Sequence, residues 1–279
     1  MKPKSKSLLF FFAFAVAAWI GLVRPAQAQS FIERWQDRVN RTQAEQPHWV
    51  TPLVTVTPRL EQEFRTDFTR QLTPTDTTTW NYGNSKGLEL IPARRIELLF
   101  NVPPYIQHNT PNAKDGFGDT TFLMKYRLYA SNEENHNAIV TAFLGASIPT
   151  GSYSNGSTDA TVTPTLAAGK GFGRFAIQST LGGTLPVANS NKLGRPIAWN
   201  NALQWRADPH WWPEVEFNST FYKGGPNDGK MQNFATPGIV ARFPLRRRLG
   251  VTLGAGMQIA TSGFHTYNHG LVFTGRMPF

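Results

Sequence analysis

Six histidines, His48, His108, His136, His210, His265 and His269, are the side chains with an ordinary pKa nearest neutrality. A hydrolase would need one of them beside a nucleophile, oriented by a third group. His265 and His269 have hydroxyls close in sequence, at Ser262 and Thr266, which is the barest form of that pattern. No G-x-S-x-G elbow accompanies them. The glycine-rich stretch from Gly169 to Arg174, GKGFGR, lacks the following helix of a phosphate loop and reads as a tight turn. Asp115, Asp119, Asp159 and Asp228 do not have the close spacing of a calcium loop. The chain has no cysteine, so thiolate ligands, thiol nucleophiles and disulfides are excluded. The expectation is a protein that is not an enzyme, with no catalytic residue, metal site or cofactor.

Charge offers a different chemistry. Glu61, Glu63, Arg65 and Asp67 stand at every second position, opposite Leu60, Gln62, Phe64, Thr66 and Phe68. Glu97, Asp119, Lys125, Arg127, Arg206, Glu214 and Glu216 fall in equivalent registers farther along the chain. A period of two is the mark of a strand whose faces meet different surroundings. The apolar registers carry Phe100, Phe122, Tyr126, Trp199, Trp205 and Phe217. Aromatics on one face and successive charges on the other suit a closed barrel with a lipid-facing outside and a polar lumen. Two roles are open to the charged residues: pairing across strands to fill the lumen, or lining a channel and setting its selectivity.

The elements that carry these registers are expected to be about twelve alternating runs between Val50 and Phe279, divided by Gly-, Asn-, Pro- and Asp-rich joins. Short joins such as PARR and PLRRR alternate with longer ones such as SYSNGSTDA and KGGPNDGK. That asymmetry is shown by outer-membrane barrels, whose even strand count places both termini on one side. Trp205, Trp211, Trp212 and Phe279 fit interfacial girdles. The predicted fold class is therefore all-β: an antiparallel, up-and-down transmembrane β-barrel with a short N-terminal helix.

Residues 1–28 read as a signal peptide. Lys2, Lys4 and Lys6 precede an apolar run from Leu8 to Val23, and Ala26-Gln27-Ala28 offers a cleavage site. Residues 29–49 are expected to form a periplasmic or plug segment. Ser30 and Glu33 resemble a capping box, and Phe31, Trp35 and Val39 share a helical face, so a helix is predicted from Ser30 to about Glu45. The barrel is assigned to residues 50–279. The formal net charge of +10 is scattered, with one tight cluster at Arg246-Arg247-Arg248, and does not point to nucleic acid.

Two resemblances sharpen this reading. The closing strand, with Leu271, Phe273, Met277 and Phe279 in one register, resembles the insertion signal of bacterial outer-membrane proteins. The resemblance implies recognition by the barrel-assembly machinery; Pro278 departs from it by removing a backbone donor. The second covers most of the chain after the leader. PLVTVTPRLEQEFRTD, RRIELLFNVPPY and the long stretch from Gly116 to Ser152 resemble the outer-membrane family named for the meta pathway of phenol degradation. The residues that carry it are Gly116, Gly118 and Asp119, then Lys125, Tyr126, Arg127 and Leu128, then Pro149, Thr150 and Gly151. The family name implies passage of aromatic compounds. Asp119 and Lys125 are expected to be lumen-facing partners.

The expected function is passive passage of small solutes, hydrophobic or aromatic ones included, across the bacterial outer membrane. Its partners would be outer-membrane lipid, the assembly machinery and a small-molecule solute. The alternatives are a closed-lumen structural or adhesive barrel acting through its loops, and a membrane hydrolase using a loop histidine.

Overall fold

Every one of the aromatic residues singled out in the apolar registers faces outward and is exposed, from Phe122 at 38% to Trp199 at 48%. That single polarity organises the structure, a computed structural model that describes residues 25–246 and 249–279, with side chains from residue 31. The expected leader falls almost wholly outside the described residues, as do Arg247 and Arg248.

The wall is a closed antiparallel barrel of twelve strands. They are β1 (Glu63–Leu72), β2 (Thr78–Gly83 and Gly87–Ala93), β3 (Ile96–Asn101 and Tyr105–His108), β4 (Gly116–Phe117 and Thr120–Ser131), β5 (Ala138–Ile148) and β6 (Thr161–Phe172). Then follow β7 (Phe175–Gly183 and Leu185–Pro186), β8 (Ile197–Trp205), β9 (Trp211–Phe221), β10 (Met231–Arg246), β11 (Leu249–Ala260) and β12 (His269–Pro278). Each pairs with its neighbour in sequence, and β12 pairs with β1 to leave no edge. Aromatic pairs knit the outer face: Phe100 and Phe122 lie opposite one another with ring centroids 6.0 Å apart, edge to face.

β2 is interrupted where Asn84 and Ser85 take left-handed conformations, φ 44° and 54°. β3 is broken beside it by Pro103 and Pro104, which have no backbone donor for a ladder. The short turns and both ends of the barrel chain share one mouth, and the longer loops share the other.

The helix α1 (Pro25–Ala44) begins earlier than the predicted Ser30, so Ser30 lies inside it and cannot act as its cap. Val39 packs on Leu60 and Ile91 at the turn-side mouth. A four-residue helix, α2 (Ser190–Leu193), sits in the β7–β8 loop.

The wall starts at Glu63, later than the boundary expected at residue 50. Residues 46–62 form no strand; they run inside the barrel. The apolar core lies there too: Trp49, Val50 and Leu53 of this inner segment pack against Ile139, Ala176, Trp212, Val240 and Val272 of the wall. Trp212 therefore points inward, unlike the exposed Trp211, because it shares the register of Glu214 and Glu216.

Candidate functional site

The inner face presents charged and amide side chains at the same depth as the inner segment, and the two are stitched together. Glu214 and Glu216, two apart on β9, accept hydrogen bonds from three consecutive backbone N–H groups: Leu53 to Glu214 Oε1 at 2.8 Å, then Val54 and Thr55 to Glu216 Oε1 and Oε2 at 2.7 and 2.6 Å. Charge-assisted bonds to backbone N–H groups are roughly twice as strong as neutral ones. From β1 and β12, Arg65 Nη2 donates to Leu53 O at 2.7 Å, and Arg276 Nη2 donates to Pro52 O at 2.7 Å. Arg276 also donates to Thr51 O. The plug is thus held by carboxylates at its N–H groups and by guanidiniums at its carbonyls.

Gln178 and Gln204 extend the network. Gln178 donates to Val50 O at 3.0 Å and to Gln204 Oε1 at 2.7 Å, and Gln204 donates to Glu214 Oε2 at 2.6 Å. Thr141 donates to Pro58 O at 2.6 Å and Lys125 to Arg59 O at 3.2 Å. Lys125 also forms an ion pair with its cross-strand partner Glu97 at 2.9 Å, with side chains 1% and 0% exposed. Glu97 accepts a second bond from the Glu61 N–H.

This network explains oppositions that the wall alone would not tolerate. Arg65 lies directly across from Arg276, and Glu63 directly across from Glu89. Like charges so placed destabilise a sheet. Here Arg65 turns to Asp67 at 2.7 Å, and both guanidiniums reach plug carbonyls. Cross-strand filling, one of the two roles left open for the charged residues, is met by Lys125 and Glu97, but most of the middle of the lumen is occupied in another way. It is filled by the chain's own segment.

Shape complements charge. A Cβ added at Gly238, Gly254 or Gly256 would stand 2.3–2.6 Å from a methyl of Leu53. One added at Gly169 would meet the Trp49 ring at 2.5 Å. Glycines of β10 and β11 therefore form the socket for Leu53, and the wall approaches the plug closely because it lacks side chains there.

Below the plug, Gln43 and Gln46 both donate to Leu60 O at 2.8 Å. Arg127 donates to Glu45 at 2.7 Å, and Glu133 in the β4–β5 turn accepts from the His48 N–H at 2.7 Å and pairs with its ring at 2.6 Å. At the loop end the β11–β12 connection folds inward: Thr266 N donates to Gln232 Oε1 at 2.7 Å, and Tyr267 stacks on Phe234 with centroids 4.3 Å apart. Two cavities of about 230 Å³ flank the plug. The one on the turn side is bounded by Trp49, Arg59, Glu61 and Arg276. The one on the loop side is bounded by Thr57, Arg65, Lys86 and Glu89.

Among the candidate residues, Glu63, Arg65, Asp67, Glu97, Lys125, Arg127, Glu214 and Glu216 are buried and face the interior. Glu61 is buried too, but on the inner segment, where it meets Arg59 at 3.1 Å. Two depart from expectation. Arg206 is exposed, because β8 ends at Trp205 and the chain is already turning. Asp119 is no partner of Lys125: it sits at the break in β4 and accepts from the N–H groups of Gly151 and Ser157 at 2.9 and 2.7 Å, holding the β5–β6 loop. In the apolar register of β12, Phe273 and Met277 are exposed and Leu271 is half-buried; Phe279 follows the strand, its N–H donating to Gln62 O at 3.1 Å. His265 meets the carbonyl of Ser262 and Asn268 Oδ1 at 2.9 Å each, while the Ser262 hydroxyl donates to Phe264 O, so this pair does not form a base and nucleophile. Sequence reasoning passed over Gln178, Gln204 and the glycine socket. The glycines on the polar register of β11 were the visible signal.

Residues 51–265 match a family model described as "Putative MetA-pathway of phenol degradation", a span that takes in the plug from Thr51 as well as most of the wall. The fold is similar to that of the COG4313 outer membrane channel from Pseudomonas putida F1, with a TM-score of 0.56 at 15% identity, over 78% of this chain and 96% of that one. No curated protein matches the chain.

Proposed function

The chain belongs to the family that matches residues 51–265, and from that premise we propose that it is an outer-membrane channel for passive passage of small solutes, hydrophobic or aromatic ones included. The observation that carries the proposal is the polarity of the wall. Large apolar side chains such as Phe68, Trp199 and Phe217 are exposed on the outside, and charges such as Glu216 and Lys125 are buried inside. A water-soluble barrel has the opposite arrangement, whereas a barrel in lipid needs this one. Termini and short turns would then face the periplasm, and the longer loops the exterior.

Passage requires a way past the plug. The segment is held by hydrogen bonds and by the packing of Trp49, Val50 and Leu53, with a cavity on either side, and is joined to the wall covalently only through Glu63. The filled lumen gives the second reading its support: a closed barrel that acts through its loops. Planar-bilayer conductance and liposome uptake separate them. The channel reading expects the intact chain to admit small aromatic solutes, and Glu216→Ala, which frees the Val54 and Thr55 N–H groups, to raise ion conductance. If neither the intact chain nor that variant passes ions or solute, the closed-lumen reading stands.

A further inference from the structure

Charge at the loop end of the barrel is lopsided. The β7–β8 loop carries Lys192 and Arg195 with no carboxylate, and the β9–β10 loop carries Lys223 and Lys230 with Asp228. The other loops at that end hold Asp76, Asp115 and Asp159 against the single cation Lys114. Lys192, Arg195, Lys223 and Lys230 are all exposed.

The two basic loops are one surface. The Arg195 N–H donates to Lys223 O at 2.6 Å, and Gly194 lies so close to Gly224 that a Cβ would stand 2.7 Å from its carbonyl oxygen. Asp228, whose carboxylate accepts from the Gly224 N–H at 2.6 Å within its own turn, offsets one of the four cations and leaves the group strongly basic. Arg195 donates to the Ser190 hydroxyl at 3.2 Å; Lys230 donates to Asn227 Oδ1 at 3.1 Å and stands 4.5 Å over the Phe264 ring. None of the four enters an ion pair among the described residues. On the strands that meet these loops the outer wall is apolar, with Ile197, Trp199 and Met231 exposed.

Four cations at the rim of an apolar wall have the chemistry of a headgroup contact: a phosphate above, acyl chains below. We propose that Lys192, Arg195, Lys223 and Lys230 dock the phosphorylated sugar headgroup of a glycolipid in the leaflet around the loop end. The proposal rests on the membrane-barrel reading, which supplies the leaflet. The opposite side of the same mouth, with its excess of aspartates, would repel that headgroup, so the contact has a defined position on the circumference.

The test uses the full chain in a non-ionic detergent, with bisphosphorylated lipid A, its dephosphorylated form and inorganic phosphate as probes. The combined variant K192Q, R195Q, K223Q and K230Q is compared with K170Q and R174Q at the other mouth. A heat-dependent shift in gel mobility shows that each variant is a closed barrel. The expected result is at least a tenfold loss of lipid A binding in the fourfold variant alone, an equal loss on dephosphorylation, and steep weakening with salt. Binding that survives the fourfold change or dephosphorylation overturns the proposal, as does inorganic phosphate binding as tightly as the lipid. A chain that stays in solution without detergent overturns the membrane reading itself, a separate outcome.

Discussion

The Lys125–Glu97 pair is the most deeply buried charge pair of the wall, and each partner also holds the plug. Removing one member of such a pair leaves the other unpaired in a dry interior, which typically costs about 3–5 kcal/mol. Glu97→Ala is therefore expected to lower the denaturant midpoint of barrel unfolding, followed by tryptophan fluorescence. Replacing both residues with methionine should recover most of that loss, and equal midpoints for the single and double variants would contradict the account. A milder contact lies at the turn-side mouth. Partial burial works against the Glu133 carboxylate, but hydrogen bonds from His48 outweigh it and hold its pKa below the usual 4.5. A depressed carboxylate contributes stability above its unfolded pKa and loses it as pH falls. The melting difference between the natural protein and Glu133→Gln should be present at pH 6 and shrink progressively as pH falls below the usual 4.5 and through the lowered pKa.

At the scale of elements, the plug and its socket make a single lock. Gly256→Val places a side chain where a Leu53 methyl sits, and β-branched residues suit strands, so the wall should form while the plug is expelled. Higher ion conductance is expected, and Gly256→Val combined with Leu53→Ala should restore a lower one by vacating the socket. Unchanged conductance in the single variant would mean that Leu53 does not anchor the plug. The strands were legible in the sequence because aromatic and charged residues alternate at a period of two through Phe64–Thr69 and again through Val215–Phe221. The plug was not, because Val54 and Val56 alternate with Thr55 and Thr57 much as a strand would. Pro52 and Pro58, which cannot donate to a ladder, were the local sign that this stretch lies off the sheet. Which charges oppose which is set by register between strands distant in sequence, so the Arg65–Arg276 opposition that calls for the plug carbonyls could not be read from either strand alone.

For the whole molecule, everything depends on joining the last strand to the first. β12 meets β1 over the full length of both, Phe64 opposite Met277 and Phe68 opposite Phe273, and Phe279 just beyond ties the seam to the plug by donating its N–H to Gln62 O. The side chain of Phe279 is 37% exposed, and the hydrogen bond it brings to the seam comes from its backbone. We propose that Phe279 acts during assembly, as a handle for the machinery that inserts barrels. Phe279→Ala should then refold from urea into detergent micelles with the same yield and midpoint as the natural chain, yet accumulate to a markedly lower level in the outer membrane of expressing cells. Loss in both assays would make Phe279 structural, and loss in neither would remove the assembly role. Deleting residues 277–279 should fail in both, because it strips the pairing opposite Glu63 and Phe64 and reopens an edge that hydrocarbon penalises.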